Sequence, residues 1–358
     1  MKATKLLLFC IIIINSFSSC YQDTGEFFRT TSIILSADRN IKKPGSIIIF
    51  TVKTDSGLDV TNEATIYIKE IASSSEPEVI NEPNITSQFD KIYKVYAKYK
   101  EYTSEEINVE FNINAESFVK RVLIEDYTGA WCVNCPAVSY AIEELKKQTN
   151  KAVPVAIHRG STTAAFDPYH YEPATPLLQQ LGVIAFPTAK LNRSIPWTFP
   201  QYSTANLNKA LLLTTGDPIR LGLAMNSTQT GNSVNLDVKV KFFKDYSNLK
   251  LVVYVLENKL IYPQENGDNL FGTTPEIEDF EHNHVLRATF TNIFGDEIPS
   301  NDTTYGKTYT RNFSVAVPDN IANTANMEFV AFVIDNNKSI NVRSAKIGDN
   351  QDFEENLD

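Results

Sequence analysis

Two cysteines three positions apart are the residues whose types and spacing point most directly to chemistry. Cys132 and Cys135 follow a strand-like run at residues 121–127 and precede a helix-like run at residues 137–148, and Trp131 directly precedes the pair. That order predicts a strand, a turn and a helix, with both thiols at the amino end of the helix. Unpaired N–H groups and the positive end of the helix dipole favour thiolate over thiol at that place. The pattern predicts a redox pair in which Cys132 attacks a disulfide and Cys135 resolves the mixed disulfide.

Three other interpretations of the pair remain open. A structural staple would close a very short loop, and chain-entropy stabilisation falls as the loop shortens. A zinc site needs about four ligands, and the further candidates after residue 20 are the histidines His158, His170, His282 and His284. A redox relic on a binding protein is the third interpretation. We expect no metal and no other cofactor.

Asp126 has the best position of the acidic residues to exchange a proton with the pair. It lies six residues before Cys132, at the end of the predicted strand. Burial there would raise its pKa, and the carboxylate could take the proton of Cys135 as a general base. Glu125 is a rival on the opposite face of the strand. A strand-end Asp126 in solvent is the alternative.

Pro187, which follows Phe186, is predicted to face the cysteine pair from a third strand. A cis peptide bond at this position would expose the backbone of Phe186 to an incoming extended peptide. An ordinary trans proline at a strand start is the alternative. The aromatic residues of segment 161–176 are expected to border the same site.

The surrounding elements predict a multidomain chain with an α/β centre and two β flanks. Residues 30–114 contain short runs rich in Ile, Val, Tyr and Phe, which predict an N-terminal immunoglobulin-like β-sandwich. Residues 115–215 alternate strand and helix patterns, which predict a central α/β thioredoxin-like domain. Residues 216–358 return to strand patterns and predict a C-terminal β-sandwich. The His-Asn-His run at residues 282–284 lacks a carboxylate partner, so it predicts no metal site.

The amino terminus has the features of a lipoprotein signal peptide, predicted over residues 1–19. Two lysines precede an apolar run at residues 6–14 that is too short to span a bilayer. Residues 17–20, Phe-Ser-Ser-Cys, resemble a bacterial lipobox, which implies acylation of Cys20 after cleavage. Residues 20–29 would then form a tether. An ordinary secretory signal with a chance cysteine is the alternative.

The composition is that of a globular protein with an acidic balance. The 358 residues carry a formal net charge of −10 at pH 7, with 42% hydrophobic and 21% charged residues. Binding to a phosphate backbone requires a basic face, so this balance argues against nucleic acid as a partner.

Several stretches resemble one family when they are taken together: residues 125–129 leading into 131–136, residues 155–158, residues 186–188 with 192–193 behind them, and His-Asn-His-Val-Leu-Arg at residues 282–287. The pattern resembles the outer membrane protein 28 family of Bacteroidetes lipoproteins. The resemblance covers roughly residue 120 to the end. It implies an envelope location, a thioredoxin-like domain followed by a β domain, and a surface adhesin or receptor role.

The leading functional prediction is an envelope-anchored thiol–disulfide oxidoreductase at the outer membrane, on its periplasmic face or the cell surface. Its partners would be exported proteins with disulfides or thiols, an unidentified redox partner, and the membrane through the lipid anchor. The alternative is a surface adhesin or receptor-type binding protein. In that alternative Cys132 and Cys135 form a permanent disulfide.

The lipid anchor gives the first testable prediction. We expect Cys20→Ala to release the protein from the membrane fraction, because two or more acyl chains on this residue would provide the stable attachment. Fractionation of cells that express either form measures this. Equal membrane recovery of the wild type and the variant would contradict an anchor at Cys20.

Overall fold

The computed structural model describes residues 30–112, 115, 117–160 and 165–356, and β-strands dominate it. Strands make up 44% and helices 11% of the described residues, which include three short α-helices. The predicted signal peptide at 1–19, the tether at 20–29 and the lipid attachment residue Cys20 lie outside the described residues.

Residues 33–111 form two sheets that enclose their own apolar core. Their strands are β1 (Ile33–Ala37), β2 (Ile41–Lys42), β3 (Ile47–Thr54), β4 (Thr65–Glu70), β5 (Glu78–Ile80), β6 (Asn84–Thr86), β7 (Lys91–Tyr99), β8 (Tyr102–Thr103) and β9 (Ile107–Phe111). One sheet has the order β1-β3-β6, and the other has the order β2-β9-β7-β4-β5 with β8 beside β7. Strand β3 alternates exposed and buried side chains, because its two faces meet solvent and core.

The middle of the chain supplies the elements around the cysteine pair. They are β10 (Ser117–Phe118), β11 (Val122–Thr128), α1 (Pro136–Lys146), β12 (Ala152–His158), α2 (Thr175–Gln180), β13 (Thr188–Leu191), β14 (Ile195–Trp197) and α3 (Thr204–Leu212). Helix α1 begins at Pro136, which lacks an N–H group that the first helical turn would leave unpaired. Its apolar face buries Val138, Ile142 and Leu145.

The remaining strands are β15 (Leu221–Thr230), β16 (Ser233–Phe242), β17 (Lys250–Glu257), β18 (Leu260–Ile261), β19 (Gln264–Glu265), β20 (Glu276–Ile277), β21 (Glu281–His282), β22 (Val285–Thr289), β23 (Asp296–Glu297), β24 (Thr308–Ala316), β25 (Met327–Asp335), β26 (Lys338–Lys346) and β27 (Glu355–Asn356). Single 3-10 turns occur at Glu172–Ala174, Ser300–Asp302 and Thr324–Asn326. Strands β15, β16 and β24 form a separate antiparallel sheet. Strand β17 is buried on both faces, which explains its nearly continuous apolar sequence.

One nine-stranded sheet joins the middle of the chain to its C-terminal part. Its order is β14-β13-β11-β12-β22-β17-β25-β26, with β23 beside β17. Strand β11 runs parallel to β12 and antiparallel to β13. Strand β12 meets β22 in parallel where Ala156 faces Val285, and the Ala156 N–H donates to the His284 carbonyl at 2.8 Å. The strand pairing therefore continues without a break across the predicted domain boundary.

The apolar core crosses the same boundary. Leu123 of β11 and Val155 of β12 share one buried cluster with Leu256 of β17 and Phe332 of β25. The opposite face of β11 packs on α1 and α3, and the opposite face of β17 packs on the β15-β16-β24 sheet. The prediction of a central α/β thioredoxin-like domain at residues 115–215 is therefore wrong, and the fold is β-rich.

The physical reason for this error is that strand pairing between distant segments leaves no local pattern. Residues 115–215 show strand and helix periodicities in an order typical of a self-contained α/β unit. The partner of β12 lies more than a hundred residues further along the chain, at Val285. Only the tertiary structure reveals that partner.

A buried ion pair connects the strands from the middle of the chain with those from its C-terminal part. Arg193, in the turn after β13, donates through Nη2 to Glu125 of β11 at 2.8 Å and to the Tyr254 hydroxyl of β17 at 2.5 Å. The side chains of Glu125 and Arg193 are 0% and 1% exposed. The guanidinium also lies over the ring of Phe332, 4.8 Å from its centroid. These contacts offset part of the loss of solvation of both charges, and Nη1 of Arg193 stays buried without a hydrogen-bond partner.

Removing one partner of this pair should destabilise the sheet strongly. We expect Arg193→Met to lower the free energy of unfolding by about 3–5 kcal/mol, because Glu125 would stay buried without a counter-charge. Lys147→Met is the matched control, since Lys147 forms an exposed pair with Glu144; it should cost less than about 1 kcal/mol. Urea unfolding followed by tryptophan fluorescence measures this region, because both tryptophans lie in it. Equal costs for the two substitutions would contradict the assignment.

Candidate functional site

The cysteine pair lies in the turn between β11 and α1, as the spacing predicted. Cys132 and Cys135 form a disulfide with their Cα atoms 5.4 Å apart, and Cys135 caps the amino end of α1. The two residues are 4% and 1% exposed. Their assignment as attacking and resolving thiols stays a prediction.

A C-terminal segment covers this turn. We call residues 264–267 the strap, and its backbone runs beside the turn that carries the pair. The Glu265 N–H donates to the Ala130 carbonyl at 2.8 Å, and the Gly267 N–H donates to the Val133 carbonyl at 2.6 Å. A Cβ atom on Gly267 would lie 3.0 Å from that carbonyl oxygen, so glycine permits the close approach. The strap thus closes the turn with backbone hydrogen bonds.

The Gln264 side chain adds a second set of contacts to the same turn. Its Nε2 donates to the carbonyl oxygens of Cys132 at 3.0 Å and Gly129 at 3.3 Å. Gln264 is 2% exposed, so these hydrogen bonds are shielded from solvent. Sequence reasoning missed Gln264 and Gly267, because neither belongs to a local motif and both lie far from the pair in sequence.

Trp131 belongs to the cysteine turn, and Pro187 lies beside that turn. Trp131 donates through Nε1 to the Arg159 carbonyl at 2.6 Å, and its ring packs on Phe186 at 5.7 Å between centroids. The peptide bond between Phe186 and Pro187 is cis, in agreement with the sequence-based expectation. Pro187 lines an open cavity together with Asn134 of the cysteine turn. The roles of Trp131 and Pro187 at a catalytic site stay predictions.

The two adjacent acids of β11 have separate environments on opposite faces of the strand. Glu125 forms the ion pair with Arg193. Asp126 is 2% exposed, and its Oδ1 atom has no hydrogen-bond partner. Burial raises the pKa of Asp126 to about 8. Asp126 is therefore the acid that stays uncharged at neutral pH.

Asp126 lines a cavity of about 290 Å³ beneath the strap. The cavity lies between α1, the ends of β11 and β12, and residues 266–284, which lead from β19 to β22. We call residues 266–284 the excursion. His158 of β12 and His282 of β21 also line it. The structure thus brings together an acid and two histidines that the sequence analysis considered separately.

His158 has a charged partner that sequence reasoning missed. Its Nδ1 lies 2.8 Å from Oδ2 of Asp167, and both side chains are buried. Burial opposes ionisation of Asp167, but the bonds from His158 and from the N–H groups of Ala130 and Tyr169 hold its pKa below the usual value. Asp167 also ties the 161–176 segment to the cysteine turn. No local pattern marks this acid in the sequence.

Of the aromatic residues of segment 161–176, Tyr169 contacts two histidines that line the cavity. Tyr169 is buried against Leu260 and Val285, and its ring packs on His158 and His282. Residues 161–164 of this segment are not described.

The histidines of the His-Asn-His run point to different partners. His282 interacts through Nε2 with the Tyr262 carbonyl at 3.1 Å, and burial lowers its pKa to about 4. His284 contacts Glu328 through Nδ1 at 3.0 Å. Among the described residues, no group of His, Cys, Asp and Glu has an arrangement that could hold a metal ion.

The raised pKa of Asp126 predicts a pH-dependent stability. Between about pH 4 and 8 the unfolded chain has lost this proton and the folded protein retains it, so stability should fall as pH rises. Asp126→Asn should remove this slope, which is at most about 1.4 kcal/mol per pH unit. Urea unfolding of both proteins at several pH values checks this. Parallel stability curves for the wild type and the variant would contradict an uncharged Asp126.

The comparisons with known proteins address the family and the location. Residues 174–351 match the family model of Outer membrane protein Omp28. HBP35 of Porphyromonas gingivalis aligns in structure with a TM-score of 0.47 and 18% identity, covering 64% of this chain and 76% of that chain. Domains 4–9 of the surface layer protein SbsC align with a TM-score of 0.17 and 12% identity, covering 89% of this chain and 51% of that one. No curated protein matches the sequence.

The family match also gives information about where the protein is located in the cell. It agrees with the predicted outer membrane localisation. Within the described ranges, no helix has the length and apolar character needed to cross a membrane. The resemblance to this family is confirmed by the match over residues 174–351, which contains the His-Asn-His-Val-Leu-Arg run.

Proposed function

We propose that this chain is a binding protein of the outer membrane in which Cys132–Cys135 is a permanent disulfide. The observation that carries the proposal is the strap, which covers the cysteine turn with backbone and side-chain hydrogen bonds. Membership in an outer membrane protein family is consistent with a role in binding at the envelope.

Access to sulfur separates a permanent disulfide from a redox-active one. Exchange requires a thiolate to approach one sulfur directly, and Cys132 is 4% exposed. Opening the strap would break the hydrogen bonds of Glu265, Gly267 and Gln264 to the turn. Each such bond contributes about 1 kcal/mol, so the open state would be rare.

The benefit of such a disulfide is geometric rather than entropic. A cross-link over so short a loop contributes little chain-entropy stabilisation. It does hold the backbone of the turn in one shape, and the carbonyl oxygens of that turn accept the hydrogen bonds of the strap. The disulfide thereby supports the strap that covers the Asp126 cavity.

A thiol–disulfide oxidoreductase that acts on exported proteins is the second candidate. One observation favours it: Asp126, on the strand that leads to the pair, is an uncharged acid whose pKa of about 8 suits proton exchange near neutral pH. In this candidate function the strap would have to move before a substrate reaches Cys132.

Reduction kinetics test the proposed function. We expect the wild-type protein to show no turnover of a model disulfide substrate and slow reduction by dithiothreitol. Gln264→Ala should speed reduction about tenfold, because it removes two hydrogen bonds, to Cys132 and Gly129, that together contribute on the order of 1–2 kcal/mol.

Gln180→Ala is the matched control, since this glutamine is exposed on α2. It should leave the reduction rate unchanged. Turnover by the wild type that is lost in Cys132→Ala would overturn the binding-protein proposal in favour of the oxidoreductase.

A further inference from the structure

The cavity beneath the strap has the properties of a ligand site. Its volume is about 290 Å³, enough for a small organic molecule, and it lies between α1, β11, β12 and the excursion from β19 to β22. The excursion is anchored to the cysteine turn by the strap. The site is therefore built from segments far apart in sequence and held by defined contacts.

The polar lining is acidic. Asp126 lies deep in the cavity, and Glu143, Asp279 and Glu281 also line it. The described residues that line the cavity include no lysine or arginine. Lys146 lies nearby, 3.2 Å from Glu143 and 3.3 Å from His284, but does not line the cavity. This distribution favours a positively charged ligand group and disfavours a negative one.

Asp126 offers an unused polar group inside this cavity. Its Oδ1 atom is buried and has no hydrogen-bond partner. Buried polar atoms in folded proteins are almost always paired, and each exception requires an explanation. A ligand that donates a hydrogen bond at this point would satisfy the atom.

His282 provides a second acceptor. A carbonyl oxygen can only accept, so the contact with Tyr262 places the proton on Nε2 of the ring. The Nδ1 atom then carries a lone pair. Because burial lowers the pKa of His282 to about 4, the ring stays neutral at pH 7 and does not repel a cation.

The apolar lining suits a short hydrocarbon chain. Ile142 of α1 and the rings of Phe271 and Phe280 line the cavity, and the two rings meet edge to face with centroids 5.4 Å apart. A ligand with one charged end and an apolar body would match both parts of the lining.

We propose that this cavity binds a small primary alkylammonium, with the ammonium group at Asp126 and the alkyl chain against Ile142, Phe271 and Phe280. The inference deepens the proposed binding function and rests on it, because it names the class of ligand. An ammonium group has three donors, and the Asp126 carboxyl and the His282 ring provide acceptors for it.

Binding of this ligand requires Asp126 to ionise. The cation favours the carboxylate, so the complex should release one proton at pH 7, below the pKa of about 8. Affinity should therefore rise about tenfold per pH unit from pH 6 to pH 8 and then level off. The other titratable groups that line the cavity are Glu143, His158, Asp279, Glu281, His282 and His284, with Asp167 behind His158.

Calorimetry with hexylammonium as the probe tests the proposal on the full mature chain. We expect binding of hexylammonium at least tenfold tighter than that of hexanol, and no binding of hexanoate. Titrations in buffers of different ionisation enthalpy should give release of about one proton at pH 7. Equal affinity for hexylammonium and hexanol would overturn the proposal.

Two variants complete the test. Asp126→Asn should weaken hexylammonium binding at least tenfold and abolish proton release, and tryptophan fluorescence will check that it folds. Asp319→Asn is the matched control, because this residue is exposed and lies outside the cavity; it should change neither quantity. Unchanged affinity in a folded Asp126→Asn protein would refute the site.

The two proposals fail separately. Absence of hexylammonium binding by a protein whose disulfide stays inert would remove only the ligand assignment. Turnover of disulfide substrates would remove the binding-protein function whatever the calorimetry shows.

Discussion

The ion pair between Glu125 and Arg193 is the interaction on which the nine-stranded sheet depends. Two charges are removed from solvent, so the chain must supply compensating contacts, and Tyr254 and Phe332 supply them from strands of the C-terminal part. Arg193 reaches this position from a turn in which it has a φ of 66°. The geometry ties the strand before the cysteine turn to strands that follow it by more than a hundred residues.

The neighbouring acid, Asp126, has a different environment. Because Glu125 and Asp126 are adjacent in a strand, their side chains lie on opposite faces. Glu125 has Arg193 as its cationic partner. Asp126 lines a cavity beside α1 without such a partner, and burial keeps it protonated at neutral pH. Of two carboxyl groups next to each other in the chain, one thus forms a buried ion pair within the sheet and the other lines a cavity.

The disulfide, the strap and the cavity form one arrangement above that face. The cross-link holds the turn, the carbonyl oxygens of the turn accept hydrogen bonds from the strap, and the excursion that continues from the strap lines the cavity. A cysteine pair that suggests redox chemistry by its spacing can in this way serve to shape a binding site. Buried sulfur atoms and a covered turn favour that role over exchange.

The sequence by itself determined the local features of this protein: the cysteine turn before a helix, the proline after Phe186, the acid at Asp126 and the family pattern. These follow from residue types and short spacings, which act within a few residues of one another. It did not determine that β12 pairs with β22, that Glu125 meets Arg193, or that Gln264 covers Cys132. Those contacts join segments that are far apart in the chain, and only the tertiary structure brings them together, because strand pairing and burial depend on the whole core.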